Sequence, residues 1–242
     1  MGMKLVPSAL SAAARAERKR TRLARQAPPG ALQDYLATPL DGLRTPLSQA
    51  RLLAVDLETT GLDPARDLVL SIGFVPIDGL SIRLGGAGGS IVCPPSRGVD
   101  AGRGPGQSAA VHGLTDDVVA AGVPLREALE QVLVALRGRV LVAHFVSIER
   151  DFLAAACRRL HGVDLPLTMI DTLELQRLIV AGPEGHVRGG ALRLAAAREH
   201  FGLPRYRAHD AVTDALACAE LYLAQVAHLG RRGEAPLSHV LE

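Results

Sequence analysis

Tryptophan is absent from this chain, and aromatic residues make up only 3% of its 242 positions. Any role that needs rings for stacking is therefore confined to a few sites. Cysteine is scarce too. Cys93, Cys157 and Cys218 are odd in number, scattered and without metal-type spacing, which excludes a disulfide framework and a thiolate zinc site. Reduced thiols of this kind suit a cytoplasmic protein. Lysine occurs only at positions 4 and 19, so nearly all the positive charge is arginine. Abundant Ala and Gly beside that arginine fit a GC-rich coding sequence. The net charge of +2 is too small to announce a nucleic-acid binder by itself. No apolar run approaches the length of a membrane span, and no signal-type apolar segment follows the first residues, so neither a membrane association nor a transit peptide is expected.

What is present is enough apolar material, 48% of the chain, for one sizeable core. The pattern divides the chain into an N-terminal helical extension and connector, 1–48, and a main domain, 49–242. Residues 8–26 read as a helix with a basic face formed by Arg15, Arg18, Lys19, Arg20, Arg22 and Arg25, stopped by Pro28-Pro29-Gly30. That face either touches phosphates or is simply solvated. A short helix at 31–37 and a connector at 38–50 follow. Strands are expected at 51–57, 68–77, about 80–84 and 90–93, close together as in an antiparallel meander. Residues 94–110, rich in Gly and Pro, read as a loop. Helical patterns at 115–121, 124–137, 148–161, 171–180, 190–201 and 210–229 then alternate with strands at 140–143 and 167–170. Strands first and alternation afterwards predict an α/β fold, a mixed sheet flanked by helices.

The stretch Asp56-Leu57-Glu58-Thr59-Thr60-Gly61 closes the apolar run Leu52-Leu53-Ala54-Val55. Side chains alternate along a strand, so Asp56 and Glu58 project from one side. Two such carboxylates repel and lose hydration unless a positive charge sits between them, and a hard divalent cation fits that need. The plain alternative is a strand ending in a polar turn. Three further segments carry candidate chemistry: Ala143-His144-Phe145-Val146-Ser147-Ile148-Glu149, Ile170-Asp171-Thr172-Leu173, and His209-Asp210-Ala211-Val212-Thr213-Asp214. His209 and Asp214 are about 500° apart on a regular helix and do not share a face. Asp210 is a good N-cap, which leaves His209 on a loop and Asp214 inside the helix.

Taken in order, D-x-E-T-T-G-L at 56–62, the Ala143-His144 segment with its acid Glu149 and flank Phe152-Leu153, and His209-x4-Asp214-Ala215 resemble the DEDDh group of 3′→5′ exonucleases, the DnaQ-like or DNA polymerase III epsilon-like proteins. His112-Gly113-Leu114-Thr115 is similar to another stretch of that family. The resemblance covers about 50–228. It implies a ribonuclease H-like fold and a metal-dependent exonuclease releasing nucleoside 5′-monophosphates from single-stranded or frayed DNA or RNA 3′ ends. It implies two divalent metal ions, Mg²⁺ or Mn²⁺, held by Asp56, Glu58, Asp214 and Glu149, with Asp56 shared between them and His209 as general base. An imidazole titrates near neutrality, which suits that role. Backbone around Thr59 and Thr60, the Leu62 side chain, His112 and Phe145 would meet the terminal nucleotide. A DNA polymerase or a second copy of the chain is a candidate partner.

The central segment departs from the family, which reads A-H-N-A-x-F-D where this chain has Glu149 as the acid and Phe145 in place of Asn. Asp151 lies about 200° from Glu149 around a helix, so only one of them faces the metals. The flanks put Glu149 in register. The alternative reading is a weakened site on a nucleic-acid-binding or polymerase-associated module. His144 reads as a satisfied histidine and Asp171 as an N-cap. His112 either approaches the nucleotide or fixes a turn. Arg188, Arg193, Arg198, Arg205 and Arg207 are candidates for a phosphate-binding rim, and Phe145, Phe201 and Tyr206 for base stacking.

Overall fold

The computed structural model describes residues 7–241 apart from 97, 99, 101, 182–186, 208 and 230–233. Two helices come first, α1 (Pro7–Ala24) and α2 (Ala31–Ala37). Two long strands follow, β1 (Arg51–Thr59) and β2 (Val69–Asp78), then the short β3 (Ser81–Ile82) and β4 (Gly88–Cys93). Short helices α3 (Ala109–His112) and α4 (Asp116–Ala120) lead to β5 (Val123–Pro124) and α5 (Leu125–Leu136). The chain then alternates through β6 (Val140–Ala143), α6 (Ser147–His161), β7 (Met169–Asp171), α7 (Thr172–Val180), α8 (Leu194–His200) and α9 (Ala211–His228).

The strands form a mixed sheet in the order β5-β4-β2-β1-β6-β7, with β3 paired to β2. The β1–β2 and β2–β4 pairs are antiparallel, as a meander requires, while β1–β6 and β6–β7 are parallel. β1 is the hinge between the two halves of the sheet. A central strand covered on both faces needs apolar residues at every position, which is why Leu52-Leu53-Ala54-Val55 shows no alternation. Its side chains still divide by parity. Leu53, Val55 and Leu57 join one core layer with α5 and α6, whereas Leu52 and Ala54 join the other, with Cys218, Ala219, Tyr222 and Val226 of α9. Asp56 and Glu58 continue the even series and so emerge on the α9 face.

The N-terminal helices share this core. Leu23, Ala24 and Ala27 and the α2 residues Leu32, Tyr35 and Leu36 belong to the same layer as Leu129, Leu133 and Phe152. Arg20, expected on the basic face, is instead buried. It donates to the carbonyls of Tyr35 and Thr38, and its guanidinium lies 4.4 Å from the centre of the Tyr35 ring. The connector is clamped from the other end of the chain. Leu47 N–H donates to the Ala235 carbonyl at 2.9 Å and Leu237 N–H to the Thr45 carbonyl at 2.8 Å.

Elements differ from expectation where they are short. Residues 94–110 end in a 3₁₀ turn at Gly106–Ser108 and the start of α3, and the two-residue β5 and a 3₁₀ turn at Leu237–His239 have no sequence pattern of their own. The helix expected from 190 starts at Leu194, because Gly190 sits at φ 80° and the preceding residues are in turns.

Candidate active site

β1, β6 and β7 run parallel, so their carboxyl ends lie together at one edge of the sheet, the usual ligand edge of an open α/β sheet. Asp56 and Glu58 are at that end of β1. Opposite Asp56 on β2 is Gly73, and beside Gly73 on β4 is Gly89. A Cβ on Gly73 would collide with the Ala211 carbonyl group, and one on Gly89 would lie 2.6 Å from Val212 Cγ2. These two glycines let the first turn of α9 lie directly on the sheet, bringing Asp214 over β1. The expectations from sequence did not include them. An isolated glycine inside a strand was the available signal, since it marks a close backbone approach.

Asp210 caps α9, accepting from Thr213 N–H at 2.9 Å. His209 precedes it at φ 70°, and its backbone N–H donates to the Asp214 carboxylate at 2.6 Å. The bond fixes the loop to the helix while leaving the imidazole to project. One ligand atom from each of Glu58, His209 and Asp214 lies within 4.8 Å of the others.

Glu149 enters from α6. It is buried, with 4% of its surface exposed, and its Oε2 has no hydrogen-bond partner. Asp151, two residues beyond, is exposed and pairs with Arg150 at 2.8 Å. The β6–α6 turn that delivers Glu149 is held by Asp171. Its carboxylate accepts from Phe145 N–H at 2.9 Å, Val146 N–H at 3.2 Å and Leu173 N–H at 2.8 Å. Asp171 is thus the N-cap of α7 and also the anchor of the turn before α6.

Burial and, after it, mutual repulsion disfavour ionisation of these acids. Burial pushes Asp56 well above the usual carboxylate range, and Glu149, Asp214, Glu58 and Asp210 add repulsion in that order. Burial, then Asp214 and Asp210, raise Glu58 to about 7. Burial raises Glu149 to about 8, with Asp171 adding to it and the backbone N–H groups of Glu149 and Leu57 opposing. Asp214 is raised by burial and partly relieved by His209. Among the described residues no Lys or Arg forms a salt bridge to Asp56, Glu58 or Glu149. Crowded carboxylates with no cation of their own form a receptor for one.

The other expected residues divide. Leu62 is exposed at 75% and Phe145 at 49%, and Phe145 stands at φ 71° at the end of β6. Thr59 and Thr60 are turned inward on their own loop, Thr59 Oγ1 donating to the Gly61 carbonyl at 2.6 Å and Thr60 Oγ1 to Asp67 at 3.1 Å. Gly61 is required by Asp67, whose carboxylate carbon would lie 2.7 Å from an added Cβ. Both ring nitrogens of His112 are engaged, with Ser108 Oγ at 2.8 Å and Leu114 N–H at 3.1 Å, so it fixes a turn. It is nevertheless near the site, since burial and then His209 lower its pKa. His144 is satisfied by Thr172 Oγ1 at 2.9 Å and the Leu192 carbonyl at 2.7 Å.

A cleft of about 1090 Å³ between α7, α8 and residues 203–206 opens onto His209 and Asp214, with Arg188, Arg193 and Arg205 on its wall. Arg198 is not part of a rim. It is buried, donates to the carbonyls of Ala217 at 2.6 Å and Pro204 at 2.8 Å, and pairs with Glu220 at 2.8 Å. Tyr206 covers Arg198 and Phe201 packs edge-on against His200 and His228, which commits both rings to the fold.

The RNase_T family, described as Exonuclease, matches residues 53–222. DNA polymerase III PolC-type of Thermotoga maritima is 28% identical over 197 residues, 79% of this chain, which spans only 13% of that protein. DNA polymerase III subunit epsilon of Treponema pallidum is 28% identical over 188 residues, 77% of this chain and 81% of that one. Among solved structures, Escherichia coli Exonuclease I in complex with a dT13 oligonucleotide superimposes with a TM-score of 0.60 at 17% identity, over 76% of this chain and 42% of that one. Cell-death related nuclease 4 gives 0.60 at 17%, over 78% and 66%. The fold is the ribonuclease H-like exonuclease fold of those structures. The match extends over more than half the chain and includes every acid of the cluster, and the chain belongs to the DnaQ-like exonuclease family.

Proposed function

We propose that this protein is a metal-dependent 3′→5′ exonuclease that hydrolyses the terminal phosphodiester of a DNA or RNA 3′ end and releases a nucleoside 5′-monophosphate. The observation that carries the reading is the cluster of Glu58, His209 and Asp214, whose ligand atoms lie within 4.8 Å of one another, with the buried acids Asp56 and Glu149 close enough to repel each other beside it. The residues fit divalent ions. Their donors are hard carboxylate oxygens, suited to Mg²⁺ or Mn²⁺, and the buried Glu149 Oε2 lacks a partner that a cation would supply. Two such ions, when bound, lower the pKa of a water molecule and neutralise charge on the attacking and leaving oxygens.

In this proposal Asp56, Glu58, Asp214 and Glu149 would together hold the two ions. The His209 imidazole takes the proton of the attacking water. The water oxygen bonds to phosphorus as the P–O3′ bond breaks, the released nucleotide keeps the phosphate on its 5′ oxygen, and the leaving 3′ oxygen takes a proton from solvent to become the 3′-hydroxyl of the shortened strand. His209 is well suited because its backbone is tied to Asp214 while the residue is exposed and offers a ring nitrogen within 4.8 Å of the Glu58 and Asp214 carboxylates. Leu62 and Phe145, both exposed beside the carboxyl ends of β1 and β6, would flank the terminal nucleotide, with Thr59 and Thr60 contributing backbone and His112 shaping the wall. The machinery lies in 49–242, and 1–48 contributes none of the acids. A DNA polymerase is the partner class that the polymerase III relatives suggest, and a second copy of the chain is the alternative. The three cysteines, all free, fit a cytoplasmic setting.

Matched DNA and RNA oligonucleotides labelled at the 5′ end and incubated with Mg²⁺, Mn²⁺ or EDTA test the reading. A ladder shortened from the 3′ end with either metal, and none in EDTA, is the expected result. Binding without cleavage under every condition would favour the module reading that the Glu149 replacement suggests.

A further inference from the structure

The basic face of α1 is rigidly mounted. Arg20, Leu23, Ala24 and Ala27 fasten the helix and the turn after it to the core. At 100° per residue, Arg15, Arg18, Lys19 and Arg22 fall within an arc of about 100° on the side opposite those anchors. Arg25 extends the row. All five are exposed, and Arg18, Arg22 and Arg25 are in no salt bridge among the described residues. The charge distribution is uneven. Six of the 27 basic residues stand between 15 and 25 against the single acid Glu17, so the rest of the chain carries more acids than bases. The row also reaches the far end of α6. Lys19 lies 3.7 Å and Arg158 3.4 Å from the same Asp164 carboxylate, two cations on one anion.

The row and the acid cluster thus stand at opposite ends of α6. Glu149 is in its first turn and Arg158 in its last, about 14 Å apart along the axis at 1.5 Å per residue. A solvated face does not need Arg20 locked beneath it, and a multivalent row of guanidiniums suits a polyanion with regularly spaced charges. We propose that the α1 row binds the phosphate backbone of the substrate strand on the 5′ side of the end being processed, several nucleotides from the scissile bond. This rests on the exonuclease reading for the identity of the polyanion. The row then sets substrate length dependence, because only strands long enough to span α6 reach both places.

The test uses the full chain and its Arg18→Gln/Arg22→Gln/Arg25→Gln variant, which leaves Arg20 and every acid in place. Binding of a three-nucleotide and a fifteen-nucleotide single strand is measured across salt concentrations, with circular dichroism to verify the fold. Loss of three phosphate contacts should reduce the slope of log K against log salt by about 2 for the long strand. The short strand should bind equally to both proteins, and single-turnover cleavage at saturating substrate should be unchanged. An unchanged slope on the long strand, or an equal loss on both strands, overturns the proposal. Wild type that binds the long strand through the row but cleaves nothing leaves the row standing and defeats the exonuclease reading. Normal cleavage with an unchanged slope defeats the row alone and leaves an acidic protein as the alternative partner.

Discussion

The Asp171 carboxylate accepts the Phe145 N–H at 2.9 Å while Phe145 stands at φ 71°, a left-handed conformation that a bulky residue adopts at a cost. The same carboxylate accepts from Val146 and Leu173, so one buried side chain ties the turn before α6 to the start of α7. That turn aims Glu149 inward and Phe145 outward. Asp171→Ala should cost about 3 kcal/mol, because it leaves buried N–H groups unpaired. Phe145→Gly should instead gain up to about 1 kcal/mol by relieving the left-handed backbone. Urea unfolding midpoints measure both, and a Phe145→Gly protein destabilised by more than about 0.5 kcal/mol would contradict the strain.

Gly73 lets α9 rest on the sheet directly behind Asp56. Gly73→Ala should push the first turn of α9 away, destabilise the fold by about 1–3 kcal/mol, and lower single-turnover cleavage by about 100-fold through displacement of Asp214. A Gly73→Ala enzyme within about 3-fold of wild type would show that the contact does not position the site.

The raised carboxylates give the metal-free protein a characteristic pH profile. Glu58 is raised to about 7 and Glu149 to about 8, from ordinary values of about 4.3. The folded state therefore holds protons that the unfolded chain has released, and stability falls as pH rises from about 4.5 to about 8. Divalent ions favour the ionised forms and should raise the melting temperature most at the upper end of that window. Scanning calorimetry in EDTA and in Mn²⁺ tests this against a Glu58→Gln/Glu149→Gln variant. A variant with the same EDTA profile as wild type, or a metal effect largest near pH 5, contradicts the assignment.

Glu149 and Asp151 are separated by the structure as helix geometry demands, the first buried beside Asp56 and the second exposed on Arg150. Glu149→Gln should lower the cleavage rate at least about 10-fold, since it removes charge at nearly constant shape, while Asp151→Asn should have little effect. The reverse pattern in single-turnover assays would show that the wrong acid has been placed in the cluster.

The strands, the long helices and the acids were readable because each has a pattern of its own. Leu52–Val55 is an apolar run ended by acids, and Asp210 is a capping residue ahead of an Ala-rich helix. What stayed hidden depends on distant partners. Nothing near Arg20 announces that it lies under Tyr35, nothing near Arg198 reveals Glu220, and Thr60 looks free until Asp67 folds onto it. Gly73 and Gly89 are ordinary glycines in a strand until α9 arrives. Asp171 read as a cap and is one, but its bonds to Phe145 and Val146 span about 25 residues of sequence, beyond any local pattern.

Asp56 is the acid that all the others repel, and Asp56→Asn examines the cluster most directly. Single-turnover degradation of a labelled oligonucleotide in Mn²⁺ should fall by at least about 1,000-fold in this variant, while its melting temperature in EDTA rises because mutual repulsion is relieved. An Asp56→Asn protein that cleaves within about 3-fold of wild type, or a wild type fully active in EDTA, would contradict a carboxylate-held metal site as the seat of the chemistry.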